Sequence, residues 1–598
     1  MRKILTGSLV VAGVLAWGLG AQALAPAPSV WLNWALTPAQ IQQECEESKK
    51  GAQTRFKYIA QQNPGQMNFR NTVYLFDLAV ADMSDRVSGP TFLKYVSTDK
   101  AVRDAAHECE TLIQQFGVEI YTREDIYNAL KAYEDKKEPL EGEDKKLLEK
   151  TLIEFKRNGL DLAGPKRAEV KTLKQEVVDL ELTFGKNLNE WKDQVHFTRE
   201  DLEGLPEDFV AHLATAPGGK FIVTLDYPDY FPFMENAKSE AARRRLEFKF
   251  ENRGYPQNIE LFEKAIAKRH RAARLLGYKT HADYVLEDRM ARNPKAVKGF
   301  LDRLTKKLKV KAEQDLKIME GIKGGPMMAW DWRYFDNLIK KTRHELDSQK
   351  VKEYFPADAV TVEMLNIYQE LLGVAFKEEP SLGRWHPDAK LYAVIGVDNA
   401  QVLGYFYLDL FPREGKFKHA AAFDLVRGRL LDDQTYQSPV AAMVANFNKP
   451  SADRPSLLTH SEVETFFHEF GHIMHQVLTR AKYARFSGTN VARDFVEAPS
   501  QMLENWVWNK EVLRRLSGHY ADRTKKLPDE LIATMIALKN LNSGVKYLRQ
   551  VFFASVDLAY HTKKKVDTTD VWADLRESGA LIPATPGTHG PAGFGHLM

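Results

Sequence analysis

The stretch TFFHEFGHIMHQVL, residues 465–478, decides how the rest of the chain is read. Its apolar residues recur at three- and four-residue spacing, the period of an amphipathic helix. Thr459 and Glu462 head it as a T-x-x-E capping box. His468 and His472 are four apart, so they share one face of that helix about one turn from each other. Two imidazoles so placed can take adjacent corners of a Zn²⁺ tetrahedron at about 2.0–2.1 Å. Glu469, next to His468, can reach a water at the metal without ligating, the general-base position of an H-E-x-x-H motif.

A buried helix with two hydrogen-bonded histidines would carry the same pattern, so a third ligand and an open fourth position are needed. DFVEAPSQMLENWVW, residues 494–508, reads as a second amphipathic helix that offers candidates. Glu497 lies in its first turn and Glu504 two turns further along the same face. His475 lies near the first helix's metal face. A fourth protein ligand would close the site to water, so His475 is read as a packed or hydrogen-bonded histidine.

Outward from these helices, most of the chain has helical period. PAQIQQECEESKKGAQTRFKYIAQQ, AEVKTLKQEVVDLELTFGKNLNEW and NPKAVKGFLDRLTKKLKVKAEQDLKIMEGI all set apolar positions against Lys and Glu. The charge runs are solvated helix faces, and KKEPLEGEDKK, residues 136–146, is an exposed connection. Strand signals are few: KFIVTLDYP at 220–228, then LYAVIGV, VLGYFYLDLF and HAAAFDLV between 391 and 426, with SPVAAMVANF before the histidine helix. The fold class is therefore mostly α, with a small β-sheet near the candidate active site.

With 598 residues, 44% hydrophobic and 28% charged, the composition is that of a globular protein with a large core. A net charge of +3 and the lack of a basic stripe interleaved with aromatics argue against nucleic acid as a partner. Residues 1–25 read as a secretory signal peptide: Arg2 and Lys3, an apolar run from Ile4, then small residues at Ala21, Ala23 and Ala25. An uncleaved anchor is the other reading of that run. After cleavage the protein is expected to be exported, periplasmic or extracellular, with no stable membrane partner. Cys45 and Cys109 either pair as a disulfide or stand as separate thiols; neither has ligand spacing to another Cys.

Longer runs carry a resemblance. FFHEFGHIMHQ, FSGTNVARDFVEAPSQMLENWVW, GYFYLDLFPREGKFKHAAAF, MVANFNKPSADRPSLLTHSEVET, YPDYFPFMENAKSEAARRRLEFKFENRG and TPGTHGPAGFGHLM closely resemble the thimet oligopeptidase and neurolysin family of zinc metallopeptidases. The resemblance covers most of the chain beyond residue 25. It implies a two-lobed, helical, zincin-type body with a deep central channel that admits short, unstructured peptides. Residues 26–350 would form much of the channel walls, and 351–598 the catalytic region. It implies one Zn²⁺ per chain held by His468, His472 and Glu497, with Glu469 as general base. Glu504 then supports the ligands, as Asp494 and Gln501 are also read. The strands around Tyr407 and His419-Ala420-Ala421 would offer an edge to an extended peptide, with His419 and Ala420 contacting substrate.

The family's pattern continues past FGH with a tyrosine-rich loop and further helices that help bind substrate and stabilise the oxyanion. His596 matches the histidine of that FGH, and the sequence ends at Met598. The resemblance thus implies an oligopeptidase lacking the C-terminal part of the family's domain, or one that takes it from a separate segment. A weakly active, zinc-containing peptide-binding protein and a carboxydipeptidase are the alternatives. His589 is read as a loop residue without a role.

Overall fold

The computed structural model describes residues 32–451 and 454–598; the signal-like residues 1–25 lie outside it. Local signals set the helix ends. Thr37 and Gln40 form a capping box with Pro38 at the first position of the Pro38–Gln61 helix. Asn293 caps Pro294–Lys323, which stops where Gly324 turns left-handed at φ +78°. Gly164–Asn189 is likewise a single helix. The connection read at 136–146 is shorter, because a helix begins at Gly142. Glu143 and Asp144 are not loop charges; they sit in its first turn, where acids complement the helix dipole.

The strands are β1 (Gln194–Phe197), β2 (Phe221–Thr224), β3 (Val374–Glu378), β4 (Lys390–Gly396), β5 (Val402–Asp409), β6 (Ala421–Val426), β7 (Arg429–Leu430), β8 (Tyr436–Gln437) and β9 (Val440–Val444). The main sheet has the order β3-β4-β5-β9-β6, antiparallel throughout except for the parallel β5–β9 pair. Strand β3 has no counterpart in the sequence reading. Strand β6 is an edge. Strand β5, which carries Tyr407, is interior, so the edge expected around Tyr407 is not there; the sheet's edges are β3 and β6.

Period-two alternation lets this sheet join two cores. Tyr392, Phe406, Leu408, Ala441 and Met443 face the His460–Val477 helix, where Phe406 meets Phe470 edge-on at 5.1 Å. Leu391, Tyr405, Tyr407, Ala442 and Val444 face Val87, Phe92 and Val96 of the N-terminal helices. Buried in that second core, Cys45 and Cys109 are disulfide-bonded with Cα atoms 5.8 Å apart, joining Pro38–Gln61 to Lys100–Tyr121.

The helices form two lobes flanking a cavity of about 640 Å³. Lys100–Tyr121, Gly164–Asn189, Ser543–His561, Thr568–Ala580 and the turns at 590–596 all contribute residues to its lining. The loop before those turns is pinned where Thr585 donates to the buried Glu247 carboxyl at 2.6 Å.

Two outcomes follow. The disulfide closes a loop with a sequence separation of 64, so reduction should lower stability by roughly 2–4 kcal/mol, read as a lower melting temperature in dithiothreitol that Cys45→Ser/Cys109→Ser reproduces. Burial pushes Glu247 up from 4.5 to about 8. The folded state therefore holds a proton that the unfolded chain releases, and stability should fall as pH rises from about 4.5 towards 8. Glu247→Gln should flatten that decline in denaturant titrations.

Candidate metal centre

The His460–Val477 helix begins at a complete capping box: Glu462 N–H donates to Thr459 Oγ1 at 3.2 Å, and Thr459 N–H to Glu462 Oε2 at 2.7 Å. The second helix is shorter than residues 494–508. Glu497–Leu503 is α-helical and Glu504–Trp508 tightens into a 3₁₀ turn. The two helices touch at Gly471, where a Cβ would lie 3.0 Å from Ser500 Cα and 3.1 Å from Leu503 Cδ1. A second tie closes the far end, where Trp508 Nε1 donates to Glu464 at 2.7 Å.

This close approach brings His468, His472 and Glu497 together, with their donor atoms within 4.8 Å of one another. Glu497 Oε2 lies 3.3 Å from His468 Nε2 and 3.2 Å from His472 Nε2. Ligands about 2.0–2.1 Å from a tetrahedral zinc are themselves about 3.3 Å apart, so the donor set fits that ion. Burial lowers the pKa of His472 and favours the neutral, ligating imidazole. The Glu497 side chain is 52% exposed, which leaves one side of the cluster open to solvent.

Around the cluster, His468 Nδ1 pairs with Glu504 Oε1 at 2.7 Å, which fixes the ring and leaves Nε2 facing Glu497. Ser500 Oγ donates to Glu497 Oε2 at 3.0 Å. Asp494 and Gln501, read as supporting residues, stand apart. Asp494 precedes the helix and accepts the Met290 N–H at 2.6 Å, and the Gln501 side chain is exposed without a bond to the cluster. His475 packs 6.4 Å from the Phe495 ring, outside the ligand set. His589 stacks on Tyr255 at 3.6 Å.

Glu469 points towards the sheet. Burial pushes its carboxyl up to about 7, while His468 and a hydrogen bond from the Ala422 N–H act the other way. Ala422 belongs to the edge strand β6, so the acid sits between the cluster and the strand. The loop that carries SGTN, residues 487–490, fixes this relation: Gln476 Nε2 donates to Thr489 at 3.1 Å and Asn490 Nδ2 to Asp424 of β6 at 3.2 Å. His419, Ala420 and His596 all line the cavity at the start of β6. His419 is held neutral by burial, with Arg253 and His596 adding to the shift.

Gly471→Val should force the two helices apart. Zinc affinity should drop at least about tenfold by competition with a chelating dye, while far-UV circular dichroism stays helical.

The sequence profile of Peptidase family M3 matches residues 233–598. A thimet-like oligopeptidase of Dictyostelium discoideum is 36% identical over 95% of this chain and 88% of its own length. Saccharolysin of Saccharomyces cerevisiae is 34% identical over 96% and 84%, and oligopeptidase A of Escherichia coli 29% identical over 87% and 80%. Among solved structures, an inhibitor complex of PZ peptidase A is 14% identical with a TM-score of 0.55, covering 92% of this chain and 82% of that one, and shares the fold. A mostly helical, two-lobed body with a His-His-Glu cluster is thus the frame of a metalloendopeptidase, and the chain belongs to Peptidase family M3.

Proposed function

We propose that this metallopeptidase is a zinc-dependent oligopeptidase that hydrolyses short, unstructured peptides, with His468, His472 and Glu497 holding one zinc and Glu469 as general base. The observation that carries this reading is the donor geometry: two imidazole nitrogens at 3.2 and 3.3 Å from one carboxylate oxygen, with Glu469 beside them but outside the set. The oligopeptidases among its relatives support it.

Zinc bound there supplies a Lewis acid for the peptide carbonyl and acidifies water. Glu469 takes the proton from the attacking water and returns it to the leaving amine. Glu504 fixes the His468 ring, and Ser500 fixes one Glu497 oxygen. The edge strand β6 would receive the substrate as an added strand, with His419, Ala420 and His596 against it. Cavity walls on both sides of that strand exclude folded proteins. A peptide-binding role without hydrolysis gives no reason for a buried carboxylic acid beside His468. Export to a periplasm or beyond is part of the same proposal, supported by the signal-like N-terminus and by the disulfide.

An internally quenched peptide should be cleaved in zinc and spared in chelator. Glu469→Gln should abolish cleavage while one zinc per chain remains by atomic absorption. Glu504→Gln should weaken zinc by about 10–100-fold. Cleavage that survives chelation, or persists in Glu469→Gln, overturns the mechanism.

A further inference from the structure

The sheet itself does not hold the leading end of β6. Pairing between β6 and β9 starts at Ala421 opposite Val444. Just beyond that point the chain after β9 bonds the chain after β5 instead: Ala445 N–H donates to the Asp409 carbonyl at 2.8 Å and Phe447 N–H to the Leu410 carbonyl at 2.9 Å. Residues 417–420 thus pair with no strand among the described residues, yet His419 and Ala420 line the cavity.

Side chains replace the missing ladder. Asn446 Nδ2 donates to the Phe417 carbonyl at 2.9 Å and to the His419 carbonyl at 3.3 Å. Behind it, Lys416 and Asp409 form a fully buried ion pair at 2.7 Å. The same ammonium donates to the carbonyls of Asp409 at 2.9 Å, Phe411 at 2.6 Å and Ala445 at 2.7 Å, so it joins the loop to the ends of both β5 and β9. Arg413 closes the other side, bonding Asp409 at 2.7 Å and the Val96 carbonyl at 2.9 Å. A buried ion pair often returns little net stability over an apolar replacement. This one fixes where the loop leaves β5 and where it re-enters the sheet.

The consequence for the cavity follows from one peptide plane. The His419 carbonyl and the Ala420 N–H belong to the same trans peptide unit and point opposite ways. Asn446 holds the carbonyl on the β9 side, which turns the N–H to the open edge, the side on which the Ala422 N–H reaches Glu469. The Ala420 N–H has no hydrogen-bond partner among the described residues.

We propose that Asn446 and Lys416 are positioning residues for the substrate, holding the leading end of β6 so that the Ala420 N–H is presented to the backbone of a peptide in the cavity. This rests on the peptidase reading. Neither residue bonds to the His-His-Glu cluster, and the trailing part of β6 is fixed separately by Asn490 on Asp424 and by Ala422 on Glu469. Their loss should therefore weaken peptide binding and spare the metal and the proton transfer.

Asn446→Leu and Asn446→Asp keep the size of the side chain and remove its donors. Each should raise KM for an internally quenched peptide about three- to thirtyfold while kcat stays within about threefold. Lys416→Met should act in the same direction, and the Asn446 variants carry the test if that one fails to fold. One zinc per chain should remain, and hydrogen exchange should quicken over residues 411–423 but not over 460–478. Glu414→Gln, in the same loop but in an exposed pair with Lys192, should change neither constant. In zinc-loaded Glu469→Gln protein the same substitutions should raise the peptide Kd by the same factor, read by fluorescence anisotropy. An unchanged KM and Kd in both Asn446 variants overturns the proposal even where the melting temperature falls, because the role is then structural only. A lowered kcat at constant KM overturns it as well, by placing the residues in the chemistry. If the wild-type protein cleaves no peptide, the peptidase reading falls, and anisotropy alone decides whether Asn446 and Lys416 present an edge that binds peptides.

Discussion

Everything at the metal centre depends on how closely two helices approach at Gly471. The third donor is brought by a short helix whose Ser500 backbone lies where any side chain at 471 would be. Without that contact Glu497 could not stand 3.2–3.3 Å from both imidazoles. The helix that carries the histidines is fixed in turn by aromatic packing on the sheet, by its capping box, and by the Trp508–Glu464 tie. The candidate metal site is thus a property of packing between elements as much as of the five-residue H-E-x-x-H motif.

The sheet gives this arrangement its direction. One face packs on the histidine helix and the other on the disulfide-joined N-terminal helices. Its edge strand supplies the Ala422 N–H that reaches Glu469. Glu469, the His-His-Glu cluster and the edge strand are therefore referenced to one layer, the condition the proposed hydrolysis needs for holding its groups in register.

How legible this was from sequence depends on how local each signal is. The H-E-x-x-H spacing, the capping box and the seven-residue step from Glu497 to Glu504 are fixed by helix periodicity, which three or four turns of sequence reveal. Asp494 and Gln501 share the neighbourhood in sequence but not in space: one precedes the helix, and the other faces solvent. Strand β3 begins only two residues after a helix ends at Leu372, which masks it in the apolar run. Tyr407 looked like an edge residue because a strand's place in its sheet depends on the partners it finds, here β4 and β9.

An unpaired strand edge is ordinarily a hazard, a template on which other chains can stack. Here β6 presents its leading end inside a cavity walled by both lobes, where another copy of the protein cannot bring a strand alongside. That confinement guards against aggregation, and the protein can keep an adhesive edge open without blunting it with proline or a covering helix.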